Sequence, residues 1–161
     1  MDRVRNDADM NENAILLVED SSQDANLILA AFKKWGVSNP VHVVHDGEQA
    51  LEYLSGQGQF ADRQRHPLPC LALLDLHLPL MSGFEVLQWI RSQPELASLP
   101  VVVLSGTKDP SHFEEAQRLG AIACVAKTLE HTALYELIQH LNYFSLASDY
   151  RTSDVPWSPE P

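Results

Sequence analysis

The chain reads as an α/β protein: a five-stranded parallel sheet with helices on both faces. Three observations predict it. Short runs rich in Val, Leu and Ile recur at residues 14–18, 41–45, 70–75, 101–105 and 123–126, and three of them are almost uninterruptedly apolar, as strands covered on both faces are. The stretches between them carry apolar residues at helical spacing, so strand and helix alternate and the crossovers are right-handed. Acids and a lysine stand at the ends of three runs, where open parallel sheets bind their ligands.

The elements follow in order. The first strand ends in Val18-Glu19-Asp20, and Ser21 or Ser22 caps the helix after it. Ile28, Ala31, Phe32 and Trp35 form one stripe on that helix, and Gly36 stops it. After the second strand, Asp46-Gly47 opens a short helix carrying Ala50, Leu51 and Leu54. A polar loop at 56–69 precedes the third strand; loops of this length are often functional or mobile. The third helix runs over residues 84–90 and stops before Pro94. The fourth starts at Asp109 or Ser111, carries Phe113, Ala116 and Leu119, and halts at Gly120. The last carries Leu134, Leu137, Ile138 and Leu141. The domain organisation expected is a flexible arm at 1–13, one folded domain at 14–144, and a Pro- and Ser-containing tail at 145–161, too short for an output domain.

Composition narrows the classes. The 161 residues suit one domain with a real core, and 45% hydrophobic with 20% charged residues is a globular balance. No apolar stretch approaches the roughly 20 residues that span a bilayer, and the first ten residues hold no apolar signal segment. A cytoplasmic protein with no membrane partner is expected. A formal net charge of -11 argues against binding nucleic acid. Cys70 and Cys124 fall in predicted strands, match no zinc spacing, and read as reduced core thiols.

The chemistry sits at the strand ends. Asp75 closes the run Cys70-Leu71-Ala72-Leu73-Leu74 and precedes the loop Leu76-His77-Leu78-Pro79-Leu80-Met81-Ser82-Gly83. If the runs lie side by side, Glu19, Asp20 and Asp75 meet Lys127, which follows Ala123-Cys124-Val125-Ala126. Two unit charges about 4 Å apart interact with roughly 4 kcal/mol at an effective dielectric of 20, so three ionised acids need a compensating cation. Oxygen-only donors suit Mg²⁺: Asp20 and Asp75 as direct ligands, Glu19 through water, and the backbone carbonyl of His77 to complete the protein share. A metal-bound carboxylate can be a nucleophile, and phosphoryl transfer needs positioning and charge neutralisation above all. Asp75 is then the acceptor, Lys127 the neutralising cation, and Ser105 a hydroxyl donor, with N–H groups near Gly106 in support.

These residues resemble the receiver domain of bacterial two-component response regulators: Glu19-Asp20 after the first strand, Asp75 after the third, Leu78-Pro79 and Ser82-Gly83 in the loop beyond it, Ser105-Gly106 after the fourth, Lys127 after the fifth. The resemblance covers about 13–144. It implies a flavodoxin-like fold with strand order 2-1-3-4-5 and phosphoryl transfer from a sensor histidine kinase to Asp75. The long loop and the tail resemble the stand-alone regulators paired with phytochrome-type kinases, which implies a bacterial phytochrome as partner and a homodimer. Three positions depart from the family pattern. Thr128 follows Lys127 where proline is usual, Cys124 stands where many receivers carry a switching aromatic, and Ser105 replaces a common threonine.

Other readings compete. A receiver-like binding module that works without phosphorylation is the alternative, and Thr128 and Cys124 leave it open. A haloacid dehalogenase-type phosphohydrolase would carry a second aspartate two positions after the first, where this chain has His77. A flavin carrier is disfavoured because Glu19-Asp20 would repel its phosphate. The expected protein is therefore a phosphoacceptor and not an enzyme with turnover. His42, His45 and His66 read as solvated or edge residues, and His77 as bordering the site with its imidazole outward. Trp35 and Trp89 read as packing residues, whereas Trp157 in the tail reads either as docking on a partner or a second subunit or as a mobile exposed side chain.

Overall fold

The structure is a computed structural model and describes residues 13–106, 109–127 and 132–140. Positions 1–12, Thr128, Leu141 and the tail with Trp157 lie outside these, and so do the expectations placed on them. The strands are β1 (Ile15–Val18), β2 (Val41–Val44), β3 (Leu71–Asp75), β4 (Val101–Ser105) and β5 (Ala123–Ala126). The helices are α1 (Ser22–Lys34), α2 (Gly47–Ser55), α3 (Gly83–Ser92), α4 (Pro110–Arg118) and α5 (Thr132–His140), with one 3₁₀ turn at Gly58–Phe60. The sheet is parallel throughout, in the order β2-β1-β3-β4-β5. This is the predicted flavodoxin-like architecture. No helix among the described residues is long and apolar enough to cross a membrane.

Side-chain alternation divides the core into two layers. Leu16, Val18, Ala72, Leu74, Val101 and Val103 face α2, α3 and α4, meeting Tyr53, Val86, Leu87, Ile90 and Ala116. Ile15, Leu17, Leu71, Leu73, Val102 and Leu104 face α1 and α5, meeting Ile28, Phe32, Trp35, Leu134 and Ile138. Period-2 alternation with apolar residues on both faces explains the continuous apolar runs in the sequence. Each fully buried Leu or Ile contributes about 1.5–3 kcal/mol.

Local chemistry sets the helix starts. Ser21, and not Ser22, caps α1 by accepting from the Asp24 N–H at 3.2 Å. Asp46 caps α2 by accepting from the Gln49 N–H at 2.7 Å. Ser82 caps α3, and Asp109, not Ser111, caps α4 ahead of Pro110. Gly83 opens α3 for a further reason. A Cβ there would collide with the backbone carbonyl of Asp75, so only glycine lets the helix start pack on the strand end.

Three expectations need correcting. The 56–69 loop is fastened rather than mobile in character. Phe60 is buried, the Tyr53 hydroxyl donates to Pro67 O at 2.9 Å, and Arg63 donates to the carbonyls of Tyr53, Leu54 and His66 at 2.7, 2.9 and 3.1 Å. His42 stands on the edge strand β2, but neither it nor His66 is solvated: their rings join Tyr53 and Phe60 in one aromatic group, with centroids 5.2–6.2 Å apart, and burial followed by His66 lowers the pKa of His42. The two cysteines are only half-buried: Cys70 precedes β3 instead of lying in it, and Cys124 sits on the edge strand β5.

Candidate functional site

Register decides what meets what. Val18 is level with Leu74, Asp75 with Leu104, and Ser105 with Ala126. The residues just past these positions therefore emerge side by side at the carboxyl edge: Glu19-Asp20, the end of β3, Gly106 and Lys127. Backbone bonds prolong the ladders past the strands. The Glu19 N–H donates to Val44 O at 3.0 Å, the Leu76 N–H to Leu104 O at 2.9 Å, and the Lys127 N–H to Ser105 O at 2.6 Å. His45 Nδ1 donates to the Glu19 carbonyl at 3.0 Å. The site is thus anchored to the ends of the sheet ladders.

The side chains close on one cation. Lys127 Nζ donates to Asp75 Oδ2 at 2.9 Å and to Glu19 Oε2. A further carboxylate, Asp24 in the first turn of α1, lies 3.7 Å from the same nitrogen. Glu19 is fully buried, Asp75 and Ser105 are buried, and Asp20 is exposed. The second oxygen of each buried acid also accepts: Glu19 Oε1 from the Ser21 N–H at 3.3 Å, and Asp75 Oδ1 from the His77 N–H at 3.0 Å. The His77 ring is exposed and lies edge-on to His112 of α4 with centroids 5.9 Å apart.

Burial and charge act against each other here. Burial, together with the nearby Asp75 charge, pushes the Glu19 carboxyl up to about 7, although its bond to Lys127 works the other way. For Lys127 burial alone would lower the pKa, but the bonds to Glu19 and Asp75 outweigh it and hold the ammonium above its ordinary range. The lysine therefore stays charged.

The donor set fits a hard divalent cation. Glu19, Asp20 and Asp75 can each turn one oxygen to within 4.8 Å of the others, with Asp20 on the solvent side giving access. Oxygen-only donors, two of them buried carboxylates facing one ammonium, leave charge that a Mg²⁺- or Mn²⁺-type ion would neutralise. Glu19, Asp20, Asp75, His77, Ser105 and Lys127 stand at this edge, with Asp24 a member that the sequence reading missed. Its signal was available: an acid in the first turn of a helix that begins directly after Glu19-Asp20.

The fold and this edge define a class of signalling protein, and comparison with known proteins agrees. The chain belongs to the response regulator receiver domain family, which matches residues 15–139. It is 33% identical over 132 residues to response regulator Rcp1 of Synechocystis sp. (strain ATCC 27184 / PCC 6803 / Kazusa), covering 82% of this chain and 88% of Rcp1. The Mn(2+)-bound form of Rcp1 matches with a TM-score of 0.69 at 31% identity over 84% of this chain and 99% of that one. The bacteriophytochrome response regulator RtBRR matches with a TM-score of 0.74 at 38% identity, over 88% of this chain and 85% of its own. The phosphorylated cyanobacterial phytochrome response regulator RcpA matches with a TM-score of 0.69 at 34% identity, over 80% and 90%.

Proposed function

We propose that this chain accepts a phosphoryl group from a sensor histidine kinase on Asp75 and passes the signal on through protein–protein contacts. The observation that carries this reading is the Lys127 ammonium, 2.9 Å from Asp75 Oδ2 and bonded also to buried Glu19, at the carboxyl edge of the sheet. In the reaction a carboxylate oxygen of Asp75 attacks phosphorus, an O–P bond forms, the donor's N–P bond breaks, and its electron pair leaves on the imidazole. Lys127 stays protonated and draws phosphoryl oxygens to itself. Ser105, buried beside it, offers its hydroxyl to another oxygen. Asp20 and Asp75 would hold Mg²⁺ directly, Glu19 through water, and the His77 carbonyl would complete the set. The ion, when bound, supplies the positive charge that lets an anionic donor approach three carboxylates. Turnover is limited to loading and losing the phosphoryl group on Asp75, in the cytoplasm.

The relatives favour a phytochrome-type kinase as partner, since Rcp1 and phytochrome and bacteriophytochrome response regulators are among the matches. A homodimer is supported by the half-exposed edge strand β5 and exposed Ile122 beside it. A second reading, binding without phosphorylation, draws on Cys124. This small half-buried side chain packs against the core cluster under α2–α4 and has no ring to swing. One experiment separates the two. Acetyl phosphate with Mg²⁺ should add one phosphoryl group to the wild type, seen by intact mass, and none to Asp75→Asn. Equal modification of both proteins rejects Asp75, and no modification of either by donor or kinase favours the second reading.

A further inference from the structure

The feature that the proposed chemistry does not absorb is Asp24. Its carboxylate oxygen stands 3.7 Å from Lys127 Nζ, on the outer side of the ion cluster: its side chain is 48% exposed, against 17% for Lys127, 5% for Asp75 and 1% for Glu19. An acid in the first turn of a helix is ordinary, but the pairing of Asp24 with Lys127 lies outside that helix. In the usual reciprocal cap, the acid three residues into a helix reaches back to the N–H of the capping residue. Here the Ser21 N–H donates to Glu19 Oε1 at 3.3 Å, and the Asp24 carboxylate pairs with Lys127 across the top of the sheet.

Charge counting gives the consequence. Glu19, Asp20 and Asp75, when ionised, are balanced by Lys127 and one divalent cation. Asp24 is the acid that tips the loaded site to net negative. Exposed and 3.7 Å from Lys127 Nζ, it shares the same ammonium that an incoming anion must engage. A positive site speeds the arrival of anions, and a negative one slows it.

We propose that Asp24 is a positioning residue: by sharing the Lys127 charge at the mouth of the site, it slows phosphoryl transfer from free anionic donors to Asp75. The device would leave small phosphate compounds as poor donors and reserve the site for a protein donor that brings its own complementary surface. The inference rests on Asp75 as the acceptor.

The test compares wild type, Asp24→Asn and Asp24→Glu with Mg²⁺ present. With acetyl phosphate, Asp24→Asn should react about five-fold faster at low ionic strength, and with the less highly charged phosphoramidate about two-fold faster. Near 1 M salt, where the screening length falls to about 3 Å, the advantage should shrink towards one. Asp24→Glu, which restores the charge, should return towards the wild-type rate. Affinity for beryllofluoride, an anionic phosphoryl mimic followed by calorimetry, should rise with Asp24→Asn in the same way. A merely structural role for Asp24 would change neither the donor ranking nor the salt dependence. If the wild type is labelled on Asp75 and Asp24→Asn is equal or slower with both donors, this inference falls and the acceptor assignment stands. If Asp75→Asn is labelled as fast as the wild type, both fall.

Discussion

Lys127 and Arg63 are both half-buried cations that gather several oxygen acceptors, yet they do opposite work. Arg63 donates to three backbone carbonyls, two of them in the last turn of α2, and so ties the 56–69 loop to that helix. Its partners are main-chain dipoles, which neither titrate nor accept a phosphoryl group. Arg91 repeats the device, donating to the carbonyls of Ala97, Leu99 and Gly120. Lys127 instead faces Glu19, Asp75 and Asp24, whose charge changes when a proton, a metal ion or a phosphoryl group arrives. A cation held by carbonyls fastens the fold, and one held by carboxylates can exchange partners.

The largest expected effect breaks this comparison directly. Lys127→Met leaves two buried acids without their cation, a loss of about 3–5 kcal/mol when one partner of a buried pair is removed. Added Mg²⁺ should recover a large part of it, because a divalent ion can take over the neutralising role. Arg63→Met should cost about 2–4 kcal/mol from its lost charge-assisted bonds, with no Mg²⁺ dependence. Urea unfolding of both variants, with and without Mg²⁺, gives the four midpoints needed. Equal Mg²⁺ responses would show that Lys127 is a structural clamp like Arg63.

How much of this contrast could be read from the sequence depends on where each signal lies. The strands, Asp75 and Lys127 were legible because burial on both faces leaves unbroken apolar runs, and a charge at the end of such a run stands out. Arg63 was not legible, because its partners are main-chain carbonyls and any residue type supplies those. The grouping of His42 and His66 with Tyr53 and Phe60 was hidden for a related reason. It joins β2, α2 and the loop, and no local periodicity marks it. Ser21 against Ser22, and Asp109 against Ser111, are differences of one or two positions that only backbone geometry resolves. The half-exposure of Cys70 and Cys124 follows from where the strands end and which strand lies at the edge, a tertiary fact. Asp24 shows the same limit: its spacing from Asp20 is visible, its pairing with a lysine more than a hundred residues on is not.

Glu19 sharpens the comparison by its pH dependence. Its carboxyl rises from 4.5 to about 7 on folding, first through burial. Between those values the folded chain keeps a proton that the unfolded chain has shed, so stability falls as pH rises through the window. The difference amounts to about 3–4 kcal/mol at one unit per 1.4 kcal/mol. In metal-free buffer, Glu19→Gln should therefore gain stability over the wild type between about pH 4.5 and pH 7. Mg²⁺ should reverse the order, since the ionised acid is the form a metal site requires, and its affinity for the wild type should climb through the same interval. Calorimetric unfolding across that range checks both signs. A Glu19→Gln profile parallel to the wild type would mean that the buried acid stays ionised throughout.

The smallest effect tests whether the loop beside Asp75 holds strain of its own. Leu80 has φ of 67°, the left-handed region, and its side chain is fully exposed. The Met81 N–H donates back to Pro79 O at 2.7 Å, which bends the chain tightly around it. A non-glycine residue in this region costs roughly 1–2 kcal/mol, and an exposed leucine recovers nothing by burial. Leu80→Gly removes that cost but loosens the unfolded chain, which takes back about 0.5–1 kcal/mol. The net expected gain is about 0.5 kcal/mol, read as a small rise in the urea midpoint at unchanged slope. The gain should be the same with Lys127 present or replaced by methionine, because the turn makes its own hydrogen bond and does not draw on the cluster. Non-additivity of the two substitutions would instead tie the loop's conformation to the charge at Asp75, and the exposed leucine would then belong to the changeable half of the molecule.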